Sequence, residues 1–120
     1  MVGALTLGAT IAMATPASAE GSWSSYISGW SGGEESRRWQ DSHNDSASTT
    51  VQFSGCNFHG GSVVALDLAR VQDLLPDVSY GTKNNTCNTV SWGEVKTSGR
   101  YYFTYLSTHS LDVSDVITRY

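Results

Sequence analysis

From residue 49 onward the chain alternates apolar and polar residues in short runs, which is the pattern of strands with one buried face. The first two runs cover residues 49–56 and 62–70, and the His-Gly-Gly sequence at 59–61 provides a turn between them. We expect these two strands to be an antiparallel pair. The side chains predicted to face the core are Val51, Phe53, Val64, Leu66 and Leu68.

Residues 100–106 form the clearest predicted strand, because tyrosine and phenylalanine alternate there in a composition that fits a pleated, covered surface. Residues 87–95 hold apolar side chains at the density of another strand. Ser98 and Gly99 then predict a hairpin turn between the two.

The remaining segments are less regular. The last strand, residues 111–120, keeps one apolar face only if its register slips by one residue at 114–115. Residues 71–75 would form at most one helical turn, because Pro76 ends it. The sequence at 77–85 is typical of consecutive turns.

Five or more short strands, separated by Gly, Asn and Ser turns and without an amphipathic helix, indicate an all-β fold. We expect a small antiparallel β-sandwich, or an open barrel, at residues 49–120. An extended aromatic and polar N-terminal segment would precede it at residues 20–48.

The first 19 residues read as a secretory signal peptide. A small apolar stretch at 2–14 is followed by Pro16 and by an Ala-Ser-Ala cleavage sequence at 17–19. About 13 apolar residues are too few to cross a bilayer as a helix. No basic residue precedes Arg37, which leaves the true translation start open. We expect a secreted, extracellular protein.

Charge and length exclude several functional classes. The chain carries 7 basic and 11 acidic side chains, and the basic ones are scattered except at Arg37 and Arg38. A nucleic-acid surface needs a clustered positive stripe. About 101 residues after the signal are too few for the large enzyme folds. Neither a nucleic-acid partner nor insertion into a membrane is predicted.

Cys56 and Cys87 are the only cysteines, and an even count in an exported chain indicates one disulfide. Closing a loop of this length stabilises a fold by roughly 3.5 to 4 kcal/mol on the chain-entropy estimate. We therefore expect a structural bridge.

Residues 20–33 are rich in Ser and Gly, yet they carry large apolar side chains without the alternation of a core strand. Such side chains need a cover, which is either the domain itself or a partner. Residues 34–48 are polar around Trp39 and would form a loop or an edge strand packed through that ring. The residues predicted to bind a partner are Trp23, Tyr26, Ile27, Trp30, Arg37, Arg38 and Trp39.

The Arg37-Arg38-Trp39 sequence allows two interpretations. Arg and Trp are enriched in binding hot spots, which favours a partner contact. A guanidinium can also stack on an indole, and the three residues would then pin the loop to the sheet.

Two further motifs could carry chemistry. Residues 29–33 match G-x-S-x-G, but neither a buried strand before Ser31 nor a helix after it is predicted. Asp41, His43 and Asp45 alternate as cation ligands would, yet the later positions of a calcium loop do not fit. No catalytic residue, metal site or cofactor is predicted, and His59 and His109 are expected in turns or on the surface.

Four segments resemble the small exported single-disulfide proteins of streptomycetes and related actinobacteria. They are SRRWxD at 36–41, TTVQFSGC at 49–56, LLPDVSYG at 74–81 and SWGEV…SGRYYF at 91–103. Within that group the layout most resembles the adaptor subunit of umbrella-shaped antibacterial toxin particles. The resemblance implies a protein that joins a lectin subunit to a large repeat-containing subunit. The aromatic segment would enter the lectin cleft and the β-domain would dock on the repeats.

We therefore expect a secreted, non-enzymatic protein–protein interaction module. One alternative is an inhibitor of a protease or other hydrolase that presents residues 74–81 as a rigid loop. Another is a carbohydrate-binding or antifungal domain, because exposed aromatic rings stack on sugars.

Overall fold

Residues 20–120 form two four-stranded antiparallel sheets packed face to face, so the predicted β-sandwich is confirmed. The computed structural model describes residues 20–120, and the predicted signal peptide lies outside them. The strands are β1 (Ser22–Trp30), β2 (Trp39–Asp41), β3 (Thr50–Asn57), β4 (Val64–Arg70), β5 (Val78–Asn85), β6 (Thr89–Ser91), β7 (Gly99–Tyr105) and β8 (Leu111–Arg119).

The first sheet has the order β1-β8-β3-β6 and the second has the order β2-β7-β4-β5. Period-2 alternation places one face of β1, β3, β4, β7 and β8 in the core between the sheets. Tyr101, Phe103 and Tyr105 of β7 are all buried, as the aromatic alternation predicted. The buried cluster consists of Trp23, Ile27, Trp39, Val51, Phe53, Val64, Leu66, Leu68, Val90, Val95, Tyr101, Phe103, Tyr105, Leu111, Val113 and Val116.

The expected pairing of β3 with β4 is wrong. β3 pairs with β6 and β8, whereas β4 pairs with β5 and β7 in the opposite sheet. Both strands have a fully apolar inner face, and such faces also bury well when they lie opposite each other across the core. The turn near Gly60 therefore crosses between the sheets. Likewise, Gly99 begins β7, and no hairpin joins β6 to β7 because they belong to different sheets.

Residues 77–85 were expected to form turns, but most of them form β5. Its side chains are mostly polar and exposed, so the strand is specified by backbone pairing with β4 rather than by a hydrophobic face. Gly81, with φ of 96°, lies at a register shift that lets this strand bend. Residues 71–75 form a turn and no helix.

The disulfide between Cys56 and Cys87 is confirmed, with 5.9 Å between the Cα atoms. Cys56 belongs to β3 of the first sheet, and Cys87 follows β5 of the second. The bridge therefore links the two sheets at the point where the chain crosses between them. A disulfide is compatible with an extracellular location.

The predicted change of face in β8 is also present. Val113 and Val116 are both buried, while Ser114 and Asp115 between them are exposed. Opposite them Gly55 of β3 adopts a positive φ of 66°, so both strands change face together and their pairing register stays continuous. Among residues 20–120, no helix has the length and apolar character needed to span a membrane.

Candidate functional site

Residues 20–41 form one lateral side of the sandwich, which we call the rim. β1 pairs with β8 at the edge of the first sheet, and β2 pairs with β7 at the edge of the second. Between them, residues 33–36 also bond to β7, for example through Ser36 N to Phe103 O at 2.8 Å. The segment at 20–48 is therefore not separate from a domain at 49–120, because its backbone completes both sheets.

Three residues predicted to bind a partner lie in the core instead. Trp23, Ile27 and Trp39 are 9%, 4% and 4% exposed. The Trp23 ring lies 5.8 Å from Trp39 and stacks on Phe103 at 6.2 Å, and Trp39 stacks on Tyr120 at 5.8 Å. These side chains are therefore covered mainly by the domain itself rather than by a partner. The missed signal is the even spacing of Trp23 and Ile27, which places both side chains on the same face of β1.

Tyr26, Trp30, Arg37 and Arg38 keep surface that a partner can reach. Tyr26 is 70% exposed, Trp30 is partly buried against Phe103, and both arginines are exposed. These four residues remain the candidates for partner contact on the rim.

The two arginines point to opposite sides of the rim. The Arg37 guanidinium lies 5.3 Å from the centre of the Trp23 ring, and that of Arg38 lies 4.5 Å from the Tyr102 ring. Arg38 also forms an ion pair with Glu35 at 3.7 Å. Both arginines therefore form a cation–π contact of the kind that the sequence allowed, but the aromatic ring is that of Trp23 or Tyr102 rather than Trp39. In the described chain Arg37 has no ion-pair partner, which leaves its charge available to a ligand.

A small pocket of about 90 Å³ opens on the rim between the two sheets. Its walls are mostly apolar, and Arg37 is the charged group beside it. Trp23 is part of the wall, and its buried Nε1 donor has no hydrogen-bond partner in the described structure. The lining residues are Trp23, Ser25, Tyr26, Ile27, Trp30, Ser36, Arg37, Phe103 and Val116.

The outer edge of β1 offers unpaired backbone groups. Gly21 and Tyr120 exchange two hydrogen bonds of 2.9 and 3.0 Å, which fixes the phase of the antiparallel ladder. In that phase Trp23 and Ser25 bond to β8, and the N–H and C=O groups of Ser22 and Ser24 point away from it. The stretch 22–25 is regular before the first register shift, and no charged residue occurs between 21 and 33.

The other three sheet edges are protected. β2 and β6 have three residues each, too short to template another strand. β5 is longer, but it carries Lys83 and a register shift, and the Trp92 Nε1 group donates to Gly81 O at 2.9 Å. The edge of β1 is therefore the one best suited to accept an additional strand.

The N-terminal end of β1 is anchored by a carboxylate. Glu20 accepts hydrogen bonds from the backbone N–H groups of Asn44 and Ser42, at 2.9 and 2.6 Å, and they lower its pKa. Neighbouring Asp41 is buried, and burial raises its pKa. The negative charge of Glu20 adds to the rise.

The C-terminal end of β1 is held by Asp112. This carboxylate accepts a hydrogen bond from Gly29 N at 2.7 Å and lies 2.5 Å from His59 Nε2. Both contacts lower the pKa of Asp112, and the contact with His59 has the larger effect. The sequence does not identify Asp112 as the partner of His59, because 53 residues separate the two. The pairing of Asn57 with Asp112 in β3 and β8 brings the two side chains together.

The residues of the G-x-S-x-G match and of the Asp41-His43-Asp45 alternation have structural roles. Ser31 lies in a turn, where its N–H donates to Glu34 Oε2 at 3.0 Å. Asp41 and Asp45 each accept the N–H of the residue two positions on, His43 and Ala47, at 2.9 Å. Within residues 20–120 no three acidic, His or Cys side chains are grouped as a metal site would require.

Comparison of the chain with protein-family models, with curated proteins and with solved structures finds no match.

Proposed function

We propose that this protein is a secreted, non-enzymatic interaction module that binds an extended segment of a partner protein along the free edge of β1. The observation that carries the proposal is the outer edge of β1 at 22–25, which is regular and uncharged and has unpaired N–H and C=O groups at Ser22 and Ser24. Natural edge strands of this kind are usually blocked by charge, proline or shortness, so an unblocked edge is a template for strand addition.

The rim pocket supplies the selectivity that backbone pairing lacks. In strand addition, alternate side chains of the added segment enter pockets beside the edge. Trp23 and Tyr26 of β1 line such a pocket, and its volume of about 90 Å³ suits one aliphatic or small aromatic side chain. The Arg37 guanidinium beside it favours an acidic residue next to that side chain.

A pair of variants at one position tests the proposal. Ser24→Pro removes the outward N–H and places a ring on the edge, whereas Ser24→Ala removes only the hydroxyl. Proline is tolerated on an edge where its missing N–H faces solvent, so both variants should fold. Tagged proteins would be incubated with the culture medium of the source organism, and the bound proteins identified.

We expect wild type and Ser24→Ala to recover the same secreted partner and Ser24→Pro to lose it. Circular dichroism and thermal unfolding check that Ser24→Pro keeps the fold. Equal recovery by all three proteins would show that the edge of β1 is not the binding surface.

The more specific proposal, an adaptor between a lectin subunit and a large repeat-containing subunit, is supported by the sequence resemblance given above. The structure changes how such an adaptor would join its partner. Because residues 20–33 are part of the sheet, they would receive a strand rather than enter a cleft as a free tail. Deleting them would remove β1, so point variants are the appropriate test.

The inhibitor alternative concerns the loop before β5, where Leu74 and Leu75 are exposed. Leu74 lies in a turn with φ of 63°, whereas an inhibitor that mimics a substrate presents an extended strand. An assay of the pure protein against a panel of proteases tests this alternative directly.

A further inference from the structure

We propose that the rim pocket captures the C-terminal carboxylate of the partner segment, together with the apolar side chain of the same last residue. This inference rests on the proposed function, because it concerns the segment that pairs with the edge of β1. It adds which end of the segment is bound, the class of its last residue and the direction in which it runs.

The pocket wall holds hydrogen-bond donors that have no acceptor. Arg37 has no ion-pair partner among residues 20–120, and the Trp23 Nε1 donor is buried without a hydrogen-bond partner. Guanidinium and indole N–H groups donate and cannot accept. The Ser36 hydroxyl is already used, since it donates to Arg37 O at 2.8 Å and accepts from Phe103 N at 2.9 Å. A ligand that brings an acceptor would complete the wall.

The charge beside the pocket is positive. None of the described residues that line it is Asp or Glu. The two acidic side chains next to Arg37 in sequence have other contacts, because Glu35 pairs with Arg38 at 3.7 Å and Glu34 accepts from Ser31 N at 3.0 Å. The missing acceptor is therefore best supplied by an anion. A carboxylate matches the fork of donors that a guanidinium presents.

The position of the pocket along β1 favours the end of a chain. The edge is regular at 22–25, and the first register shift follows between Ser25 and Ile27. Tyr26, Ile27 and Trp30, which line the pocket, lie at or beyond this shift. A ladder is disrupted at such a point, so an added strand loses its template where the pocket begins. A segment that ends there supplies the apolar side chain and the charge from one residue.

The direction of the segment follows from the same charge. β1 runs from residue 22 toward the pocket, so a segment whose carboxylate reaches the pocket runs parallel to β1. A segment that ended there in the opposite direction would bring an α-ammonium group, which the Arg37 guanidinium would repel. Parallel pairing uses the N–H and C=O groups of alternate residues, which on this edge are those of Ser22 and Ser24.

Matched peptides test the proposal. Acetylated pentapeptides of alternating Thr and Val that end in Val, Leu or Phe would be made with a free carboxylate and as C-terminal amides. Binding is followed through the backbone and indole N–H resonances of the isotope-labelled protein. We expect at least one acid peptide to bind at least about tenfold more tightly than its amide, because the amide lacks the charge-assisted hydrogen bonds. Equal affinities within every pair, or no binding of any acid peptide at millimolar concentration, would overturn the proposal.

Two arginine variants locate the effect. Arg37→Gln should bring the affinities of the acid and amide peptides close to each other. Arg100→Gln is the control, because Arg100 is also exposed but does not line the pocket, and it should keep the preference of wild type. Thermal unfolding checks that both variants keep the fold. An equal loss of preference in both would mean that only the overall charge of the protein is sensed, which contradicts capture by the pocket.

An acidic side chain is the other source of the same charge. An amidated peptide with Asp before its last residue carries that side chain and no terminal carboxylate. If it binds more tightly than the acid peptides, the pocket recognises an internal acidic residue and the present proposal is wrong. A spin label on the peptide N-terminus tests the direction, since it should broaden the resonance of Ser22 more than that of Trp30. The reverse order would exclude a parallel segment.

Ser24→Pro separates this proposal from the proposed function. It blocks the edge, so it should weaken the binding of acid and amide peptides alike. If Ser24→Pro loses both peptides while wild type binds them equally, the edge of β1 remains the binding surface and only the capture of the carboxylate is refuted. If Ser24→Pro binds the acid peptides as tightly as wild type does, both proposals fail.

Discussion

Gly55 of β3 and Ser114 of β8 lie so close that there is no room for a side chain between them. A Cβ added at Gly55 would lie 2.7 Å from Ser114 Cβ, and Gly55 also has a φ of 66°. This contact marks the point at which both strands change face. It lets Val113 and Val116 be buried in a continuous pairing register.

Gly55→Ala should lower the free energy of unfolding by about 2 kcal/mol or more, because strain and steric overlap add. Urea unfolding measures the change. Gly29→Ala is the matched control, since Gly29 has a φ of 63° but nothing within 4 Å of an added Cβ. Adding Ser114→Gly to Gly55→Ala should recover the part of the lost unfolding free energy that comes from steric overlap. An equal loss at both glycines would contradict this account.

Removal of the disulfide should destabilise the fold without changing its topology. Replacing Cys56 and Cys87 by alanine frees a loop with a sequence separation of 31 and should lower the free energy of unfolding by roughly 3 to 4 kcal/mol. Denaturant unfolding of the double variant beside wild type gives the value. A loss below about 1 kcal/mol would show that the crossing between the sheets is held by other contacts.

Two rim residues should separate folding from binding. Trp39→Ala removes a buried ring and should cost about 3 to 5 kcal/mol of stability, whereas Trp39→Phe should cost less because it also removes an unpartnered Nε1 donor. Tyr26→Ala should leave stability within about 0.5 kcal/mol and weaken partner binding. Thermal unfolding and a binding assay on the same preparations check both expectations, and a stability loss for Tyr26→Ala like that of Trp39→Ala would refute the division.

Asp41 predicts a pH dependence of opposite sign to that of an ordinary paired carboxylate. Burial raises its pKa above 3.8, so the folded state holds the proton more tightly than the unfolded chain does. Its stabilising contribution is complete below the unfolded pKa and is lost as the pH rises through the folded pKa. Asn can still accept from His43 N, so the stability of Asp41→Asn relative to that of wild type should rise over the pH range between the unfolded and the folded pKa of Asp41. A difference that is constant over this range would exclude the effect.

Sequence predicted those parts of the fold in which the alternating apolar side chains are the ones that are buried. The inner faces of β3, β4 and β7 and the face change in β8 follow from alternation alone. β5 was missed because a polar edge strand is specified by its neighbour's backbone, which leaves no periodic signal. The partner of β3 was missed because alternation shows which face is buried and not which strand lies beside it.

Sequence predicted only part of the candidate site, because alternation does not show which strands and side chains lie next to each other. The aromatic and basic residues of the rim could be identified from their types, but alternation does not show that the domain itself covers Trp23 and Ile27, and Trp30 lies beyond a register shift in β1. The bonds from Glu20 and Asp112 that hold β1 at its ends join residues far apart in sequence. They become visible only once the sheets are assembled.

Gly21 and Tyr120 face each other as a doubly bonded pair, so the two ends of the described chain meet at the start of β1. A short flexible linker from residue 120 to residue 20 would therefore span little distance, and new termini placed at Gly60, in an exposed turn, would leave every strand whole. Such a circular permutant would keep the outer edge of β1 at 22–25 on a backbone in which residues 120 and 20 are joined, and it would allow a reporter domain to be attached beside the opposite end of β1.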